Sequence, residues 1–192
     1  YSKLNKKALD VLVRAGACNH LVDERFTGLK HFWSAAVVDR PKNKKKFFEN
    51  IEAYTGEGDF DKNELITFKT ELTGIFPFEL VMSERVRAKL NKLPVVPISD
   101  YAVAMSVEDP LEDQLLVWFV PKKLNRKKTR TGKEYWILEV IDINNAITSI
   151  KCWNPRDTDR VLVNQPYMAK LDYSEQWGFS TRSIGKNFRL IG

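Results

Sequence analysis

The chain has 192 residues, 43% hydrophobic and 29% charged, with a net charge of +6, a composition that suits one large or two small globular domains. No apolar run approaches the roughly 18–20 residues that cross a membrane. Two cysteines far apart in sequence, Cys18 and Cys152, build no disulfide framework, so a reducing cytoplasm is the expected location. The chain opens Tyr1-Ser2-Lys3-Leu4-Asn5, without an initiator Met or an apolar signal region, and is expected to be processed or cut from something longer.

In chain order, residues 4–15 read as a helix, with Leu4, Ala8, Leu9, Leu12 and Val13 on one face and Gly16 as the residue that stops it. A second helix is expected over 24–38, broken by the run Arg40-Pro41-Lys42-Asn43-Lys44-Lys45-Lys46, and a third, shorter one over Phe47–Ala53. Thr55 to Asp59 is a turn. Residues 62–75 form another helix on Leu65, Phe68, Leu72 and Ile75, and Pro77 begins one more that runs to about Arg87. Residues 91–113, with Pro94, Pro97 and Pro110, have the composition of a connector. The expected division is a helical region over 1–90, a linker over 91–113 and a β domain over 114–192.

From Gln114 the pattern changes to strands. Leu115–Val120 is an apolar β run, and Thr131-Gly132 is a turn. Tyr135–Ile141 is a second strand, Asn144-Asn145 a hairpin turn in which Asn tolerates positive φ, and Ala146–Trp153 a third strand. Pro155–Leu162 is a short helix or loop and Tyr167–Tyr173 a fourth strand. Trp177–Phe179 and Asn187–Ile191 supply a fifth, with a break at Gly185. Three strands, a short link and two strands is the order of a five-stranded OB-fold β-barrel, which makes the whole chain α+β.

The charge is placed to match. Residues 115–192 hold 14 Lys and Arg against 7 Asp and Glu, a balance of +7, whereas residues 1–114 hold 17 against 18. An excess confined to the β domain points to a polyanion, most often nucleic acid, against the alternative of a basic face that meets only water. Lys122, Lys123, Arg126, Lys127, Lys128, Arg130 and Lys133 fall in the expected loop and strand end between the first two strands, and in an OB-fold the loop there flanks the binding face. Cations there can follow a phosphate backbone and release counterions. Aromatic rings on the neighbouring strands can stack on unpaired bases. Strand alternation sends one of Tyr135 and Trp136 to the core and leaves the other outside; Leu138 and Val140, which look like core, share the side of Trp136, which favours Tyr135 as the outward ring, while Lys151 shares the face of Trp153. Trp118 and Phe119 divide in the same way, at least one of them going to the core, and Trp177 is a candidate plug for the barrel end.

Three segments carry a resemblance. Asn5-Lys6-Lys7-Ala8-Leu9-Asp10-Val11-Leu12-Val13-Arg14-Ala15-Gly16-Ala17 resembles the end of the tandem helix-hairpin-helix region in the alpha subunit of bacterial replicative DNA polymerase III, the C-family polymerases. Glu71-Leu72-Thr73-Gly74-Ile75-Phe76-Pro77-Phe78 resembles the helix that leads towards that family's OB domain. Lys128-Thr129-Arg130-Thr131-Gly132-Lys133-Glu134-Tyr135-Trp136-Ile137-Leu138-Glu139-Val140-Ile141-Asp142 resembles its first OB hairpin, a turn followed by an alternating strand that ends in Asp. The resemblance implies a non-catalytic C-terminal fragment of a DNA polymerase, possessing no cofactor and contacting single-stranded template DNA and the other domains of the parent enzyme, whose catalytic carboxylates lie in an upstream palm domain. The family's sliding-clamp-binding peptide has its nearest counterpart in Glu57-Gly58-Asp59-Phe60, which lacks the Gln and the aliphatic residue. The short connector and the absence of the family's extreme C-terminal domain fit a phage-type or otherwise shortened polymerase, or a chain cut short.

Other constellations are weaker. Asp59-Phe60-Asp61-Lys62-Asn63 starts like a calcium loop but has Glu64 where Gly is needed. Cys18, His20 and His31 lack a fourth zinc ligand, and Asp157 and Asp159 beside Arg156 and Arg160 read as surface ion pairs. An OB-fold also serves as a protein-interaction module, or as an RNA-binding domain of the kind found on tRNA synthetases.

Overall fold

The computed structural model describes residues 4–105 and 116–191. The chain divides into two compact units, Tyr1–Pro77 and Phe78–Gly192, so the expected boundary at residue 90 does not coincide with the division.

In the N-terminal unit, α1 (Lys6–Arg14) starts at Asn5, whose side chain accepts the Ala8 N–H at 2.7 Å. It ends at Gly16, left-handed at φ 80°, where the N–H groups of Gly16 and Ala17 turn back to the carbonyls of Val13 and Leu12 in the glycine-capped helix end that the sequence announces. The second helix begins later than expected: α2 (Leu29–Trp33) continues into a π-helical turn, Ser34–Val38. Its first N–H groups are met from outside the helix, Leu29 by the Asp59 carboxylate at 2.8 Å and Lys30 and His31 by the Gly58 carbonyl. This docking of the 58–59 turn requires glycine on both sides, because a Cβ at Gly28 would sit 2.5 Å from the Gly58 oxygen. The helix stops at Val38, ahead of the run at residues 40–46 as expected, but the next helix starts inside that run and three residues earlier than expected: α3 (Lys44–Glu52) is capped by the Asn43 side chain on the Lys46 N–H. Next, α4 (Lys62–Thr73) opens with a reciprocal capping box between Asp61 and Glu64 and closes at left-handed Gly74.

Several residues weighed as ligands have structural partners here. His31 is buried; its Nδ1 accepts the Thr27 N–H at 3.1 Å, its Nε2 lies 3.1 Å from the Ile51 carbonyl, and its ring stacks on Tyr54. Phe60 is only 8% exposed in the apolar core with Phe26, Phe32 and Val13. The Glu57–Phe60 segment is therefore part of the packed unit, and Phe60 could reach a partner only by leaving that core.

The C-terminal unit opens with α5 (Phe78–Val81) and α6 (Glu84–Leu90), two helices where one was expected. Ser83 separates them by capping α6 through the Val86 N–H. The expected linker is structured in its first half: β1 (Val95–Pro97) pairs parallel with the next strand, and α7 (Ile98–Met105) follows directly. Residues 106–113 lie outside the described residues.

The remaining strands are β2 (Leu116–Lys128), β3 (Glu134–Ile141), β4 (Ile147–Trp153), β5 (Tyr167–Ala169), β6 (Asp172–Ser174), β7 (Gly178–Thr181) and, after α8 (Ile184–Asn187), β8 (Phe188–Leu190). They form one curled sheet, a half-barrel, in the order β6-β7-β4-β3-β2-β5-β8 with β1 beside β2. Pairing is antiparallel except for β1 with β2 and β4 with β7. Lys170 and Leu171 alone separate β5 from β6, so one bent stretch pairs with β2 at its start and with β7 at its end. Phe119, Trp136, Leu138, Ile150, Cys152 and Phe179 fill the inside.

Five expectations change. The first strand does not stop at Val120 but runs to Lys128. The fourth strand is broken in two, and the expected fifth is two strands on different neighbours, β7 on β4 and β8 on β5. Residues 155–166 form a loop; Asp159 is buried and accepts the Arg156 N–H at 2.9 Å, while the Arg160 guanidinium donates to the carbonyls of Asp157 and Asp159, so these groups bond to backbone rather than forming the expected surface ion pairs. Trp118 and Phe119 are both buried, because β2 is covered on its two faces at that point: Phe119 lies in the barrel core and Trp118 against Phe78.

At the far end of β3 the buried Asp142 (0% exposed) accepts the N–H groups of Ser99 at 2.8 Å and Asn144 at 3.1 Å. The Asn144 side chain donates to Ser99 and Asp100, and Asn145 takes the left-handed conformation at φ 58°. The Asp that ends the strand thus fastens the start of α7 to the β3–β4 turn. No helix among the described residues is long and apolar enough to cross a membrane.

Candidate nucleic-acid interface

The basic segment is a strand. Lys122, Lys123, Arg126, Lys127 and Lys128 lie on β2, and its ladder with β3 runs from Val120 opposite Ile141 to Lys128 opposite Glu134. Only Arg130 and Lys133 belong to the connecting turn, so the expected seven-cation loop is corrected to a ribbon. A run dense in Lys reads as loop by composition, but β3 meets its backbone groups and Leu124 packs on the core. The turn is built locally: the Thr129 N–H donates to the Lys133 carbonyl at 2.8 Å, the Thr129 hydroxyl accepts the Lys133 N–H at 3.1 Å, and Gly132 is left-handed at φ 82°.

Because side chains alternate along a strand, the register sorts the cations into two sets. Lys127 lies opposite Tyr135, Asn125 opposite Ile137 and Lys123 opposite Glu139. These residues share the outer face with Trp153, Lys151 and Ser149 of β4, which stand opposite Tyr135, Ile137 and Glu139. Arg126 and Lys128 project the other way; the Arg126 guanidinium lies 5.2 Å from the Trp136 ring centre, and Lys128 stands opposite Glu134. Lys122 sits at the irregularity between Pro121 and Lys123.

On the outer face the half-buried rings of Tyr135 and Trp153 stack, centroids 5.1 Å apart and planes at 28°. Trp136 is buried, as its alternation with Leu138 and Val140 requires. One lateral row therefore reads Lys127, Tyr135, Trp153 from β2 to β4. Beyond it, an open depression of about 800 Å³ is lined by Trp153, Lys133, Asn154, Asp172, Ser180 and Arg182 among others. Asn154 turns the chain there at φ 51°. Lys151 donates to the Trp177 carbonyl at 3.1 Å, and its ammonium lies 4.9 Å from the Trp177 ring centre. Trp177 is 61% exposed and so does not plug the barrel.

Of the ten residues expected from sequence, the structure gathers Lys127, Tyr135, Lys151 and Trp153 on one face with Lys123 further along it. It places Arg130 and Lys133 at the tip and turns Arg126 and Lys128 to the opposite face. Sequence reasoning missed Arg182, Ser180 and Asp172, which reach this surface through the parallel pairing of β4 with β7 and the antiparallel pairing of β7 with β6. Cations flanking a pair of outward rings can hold a polyanion whose units carry flat faces.

Compared with models of protein families and with curated proteins, the sequence matches none.

Proposed function

We propose that the C-terminal unit is an OB-fold domain that binds single-stranded DNA on its outer β3–β4 face, and that the chain is a non-catalytic C-terminal part of a replicative DNA polymerase III alpha subunit working in the cytoplasm. The OB reading is supported by the strand path: β2, β3, β4 and β7 follow one another, and the bent stretch β5–β6 links β7 back to β2. Five strand positions with a face on the second and third suit that fold. The polymerase reading rests on the order of the three segments that resemble the family.

The observation that carries the binding function is the Tyr135–Trp153 stack with Lys127 at one side and Lys151 two residues before Trp153. Rings on a half-exposed face offer bases a platform of about 1–3 kcal/mol each, without regard to sequence, and the ammonium groups meet the phosphates.

The test is fluorescence anisotropy of labelled oligo-dT at roughly 50 and 200 mM salt. Binding that falls steeply with salt supports the reading. No binding at the lower salt overturns it and favours a protein partner. Competition by oligo-U that exceeds competition by oligo-dT would move the reading to RNA, through a contact to the 2′-hydroxyl.

A further inference from the structure

The face described above ends in an aromatic residue that the stack does not include. Trp177 lies in the turn between β6 and β7, and its ring is 61% exposed, which leaves an aromatic face open beside the stack. It is also held. Its N–H donates to the Ser174 hydroxyl at 3.1 Å, its carbonyl accepts from Lys151 at 3.1 Å, and the Lys151 ammonium lies over its ring. Gly178, left-handed at φ 68° with open space at its Cβ position, lets the chain turn sharply into β7 behind it. A cation on one face of an indole fixes the ring's plane.

Lys151 connects this ring to the stack. It is two residues before Trp153 on the same face of β4, a rise of about 7 Å, and its side chain reaches across to the β6–β7 turn. The order over the surface is therefore ring pair, ammonium, ring. That is the alternation of a single strand whose bases are splayed: base, phosphate, base.

We infer that Trp177 is a second base-stacking platform of the site, and that one strand of DNA runs from the Tyr135–Trp153 stack past Lys151 to Trp177. The inference rests on the single-strand reading above and extends it: the site holds at least two separately stacked bases, with a phosphate between them at Lys151. A mononucleotide or a dinucleotide too short to bridge the rings gains nothing from Trp177, whereas a longer strand does.

The experiment compares thymidine monophosphate, dT2, dT4 and dT8 on the wild type, Trp177→Ala, Trp177→Phe and Trp153→Ala, with circular dichroism to verify the fold. Trp177→Ala is expected to weaken dT8 binding by about tenfold while leaving the monophosphate unchanged, and Trp177→Phe to restore most of the loss. Trp153→Ala is expected to weaken every length. If Trp153→Ala weakens dT8 and Trp177→Ala leaves it at wild-type affinity, the inference fails and the single-strand reading stands. If the wild type binds none of the oligonucleotides, both fail together. A loss in Trp177→Ala that is equal for the monophosphate and dT8 also overturns a second, separate platform.

Discussion

Trp153 stands directly opposite Tyr135 across the β3–β4 ladder, and the two rings stack on the outward face of the sheet with centroids 5.1 Å apart. Cross-strand aromatic pairs stabilise a sheet by about 0.2–1 kcal/mol, too little to make this pair indispensable to the fold. Trp153→Ala is therefore expected to keep the circular dichroism spectrum and to weaken oligo-dT binding by about 1–3 kcal/mol. Because the rings touch, a double-mutant cycle with Tyr135→Ala should show a combined loss different from the sum of the single losses. An unfolded Trp153→Ala protein would show that the ring serves the core instead.

The register separates neighbouring lysines. Lys127 faces the aromatic pair, and Lys128 stands opposite Glu134 on the other face. Lys127→Glu should lower affinity and reduce the salt slope by about one, while Lys128→Glu should do less. Reversing Lys127, Lys128 and Arg130 together to Glu should abolish binding with the fold intact. Equal losses for the two single variants would mean that the ribbon attracts DNA by diffuse charge, without a defined face.

Asp142 predicts a stability defect far from the basic ribbon. Its carboxylate is fully buried and accepts two backbone N–H groups, one of them at the start of α7. Hydrogen bonds to a charged group are worth about 1.5–3 kcal/mol, so Asp142→Ala should lower the stability of the C-terminal unit by about that amount or more, measured by urea unfolding. Asp142→Asn, which keeps one acceptor, should lose less. Oligo-dT affinity under folding conditions should be unchanged in either variant.

Cys152 gives the unit an alkaline weakness. Burial, and then the nearby Asp159 carboxylate, push its thiol from 9.0 up to about 12. The folded state binds this proton more tightly than the unfolded state, so the stabilisation is complete below pH 9 and is lost as pH rises from 9 towards 12. Each pH unit within that window should remove up to about 1.4 kcal/mol. Cys152→Ala should show a flatter stability curve there than the wild type, and a thiol reagent should leave both buried cysteines, Cys18 and Cys152, unlabelled until the protein unfolds. Identical alkaline slopes would show that another group sets them.

What could be read from the sequence was what is decided locally. Gly16 and Gly132 occupy left-handed positions and Asn145 turns the β3–β4 hairpin, because each is a matter of three or four adjacent residues. Tyr135 and Trp136 sorted correctly, since Leu138 and Val140 repeat the inward pattern on the same strand. Structure that depends on a distant partner was not legible. Nothing within Lys122–Lys128 reveals that β3 will pair with it, so a strand passed for a loop. Nothing near Arg182 reveals that a parallel register with β4 will carry it to Trp153. The start of α2 was misplaced for the same reason, its first donors being met by Gly58 and Asp59, about thirty residues on.

Because Lys123 and Lys127 ride on a paired strand, the entropy of fixing their backbone, about 1–2 kcal/mol per residue, is met when the unit folds. A flexible lysine loop would meet that cost at every encounter with a ligand. On the proposed reading, preorganisation of this kind shifts the ordering to the other side of the complex: a flexible strand of DNA would give up its freedom on binding, while the ribbon would keep the shape it already has.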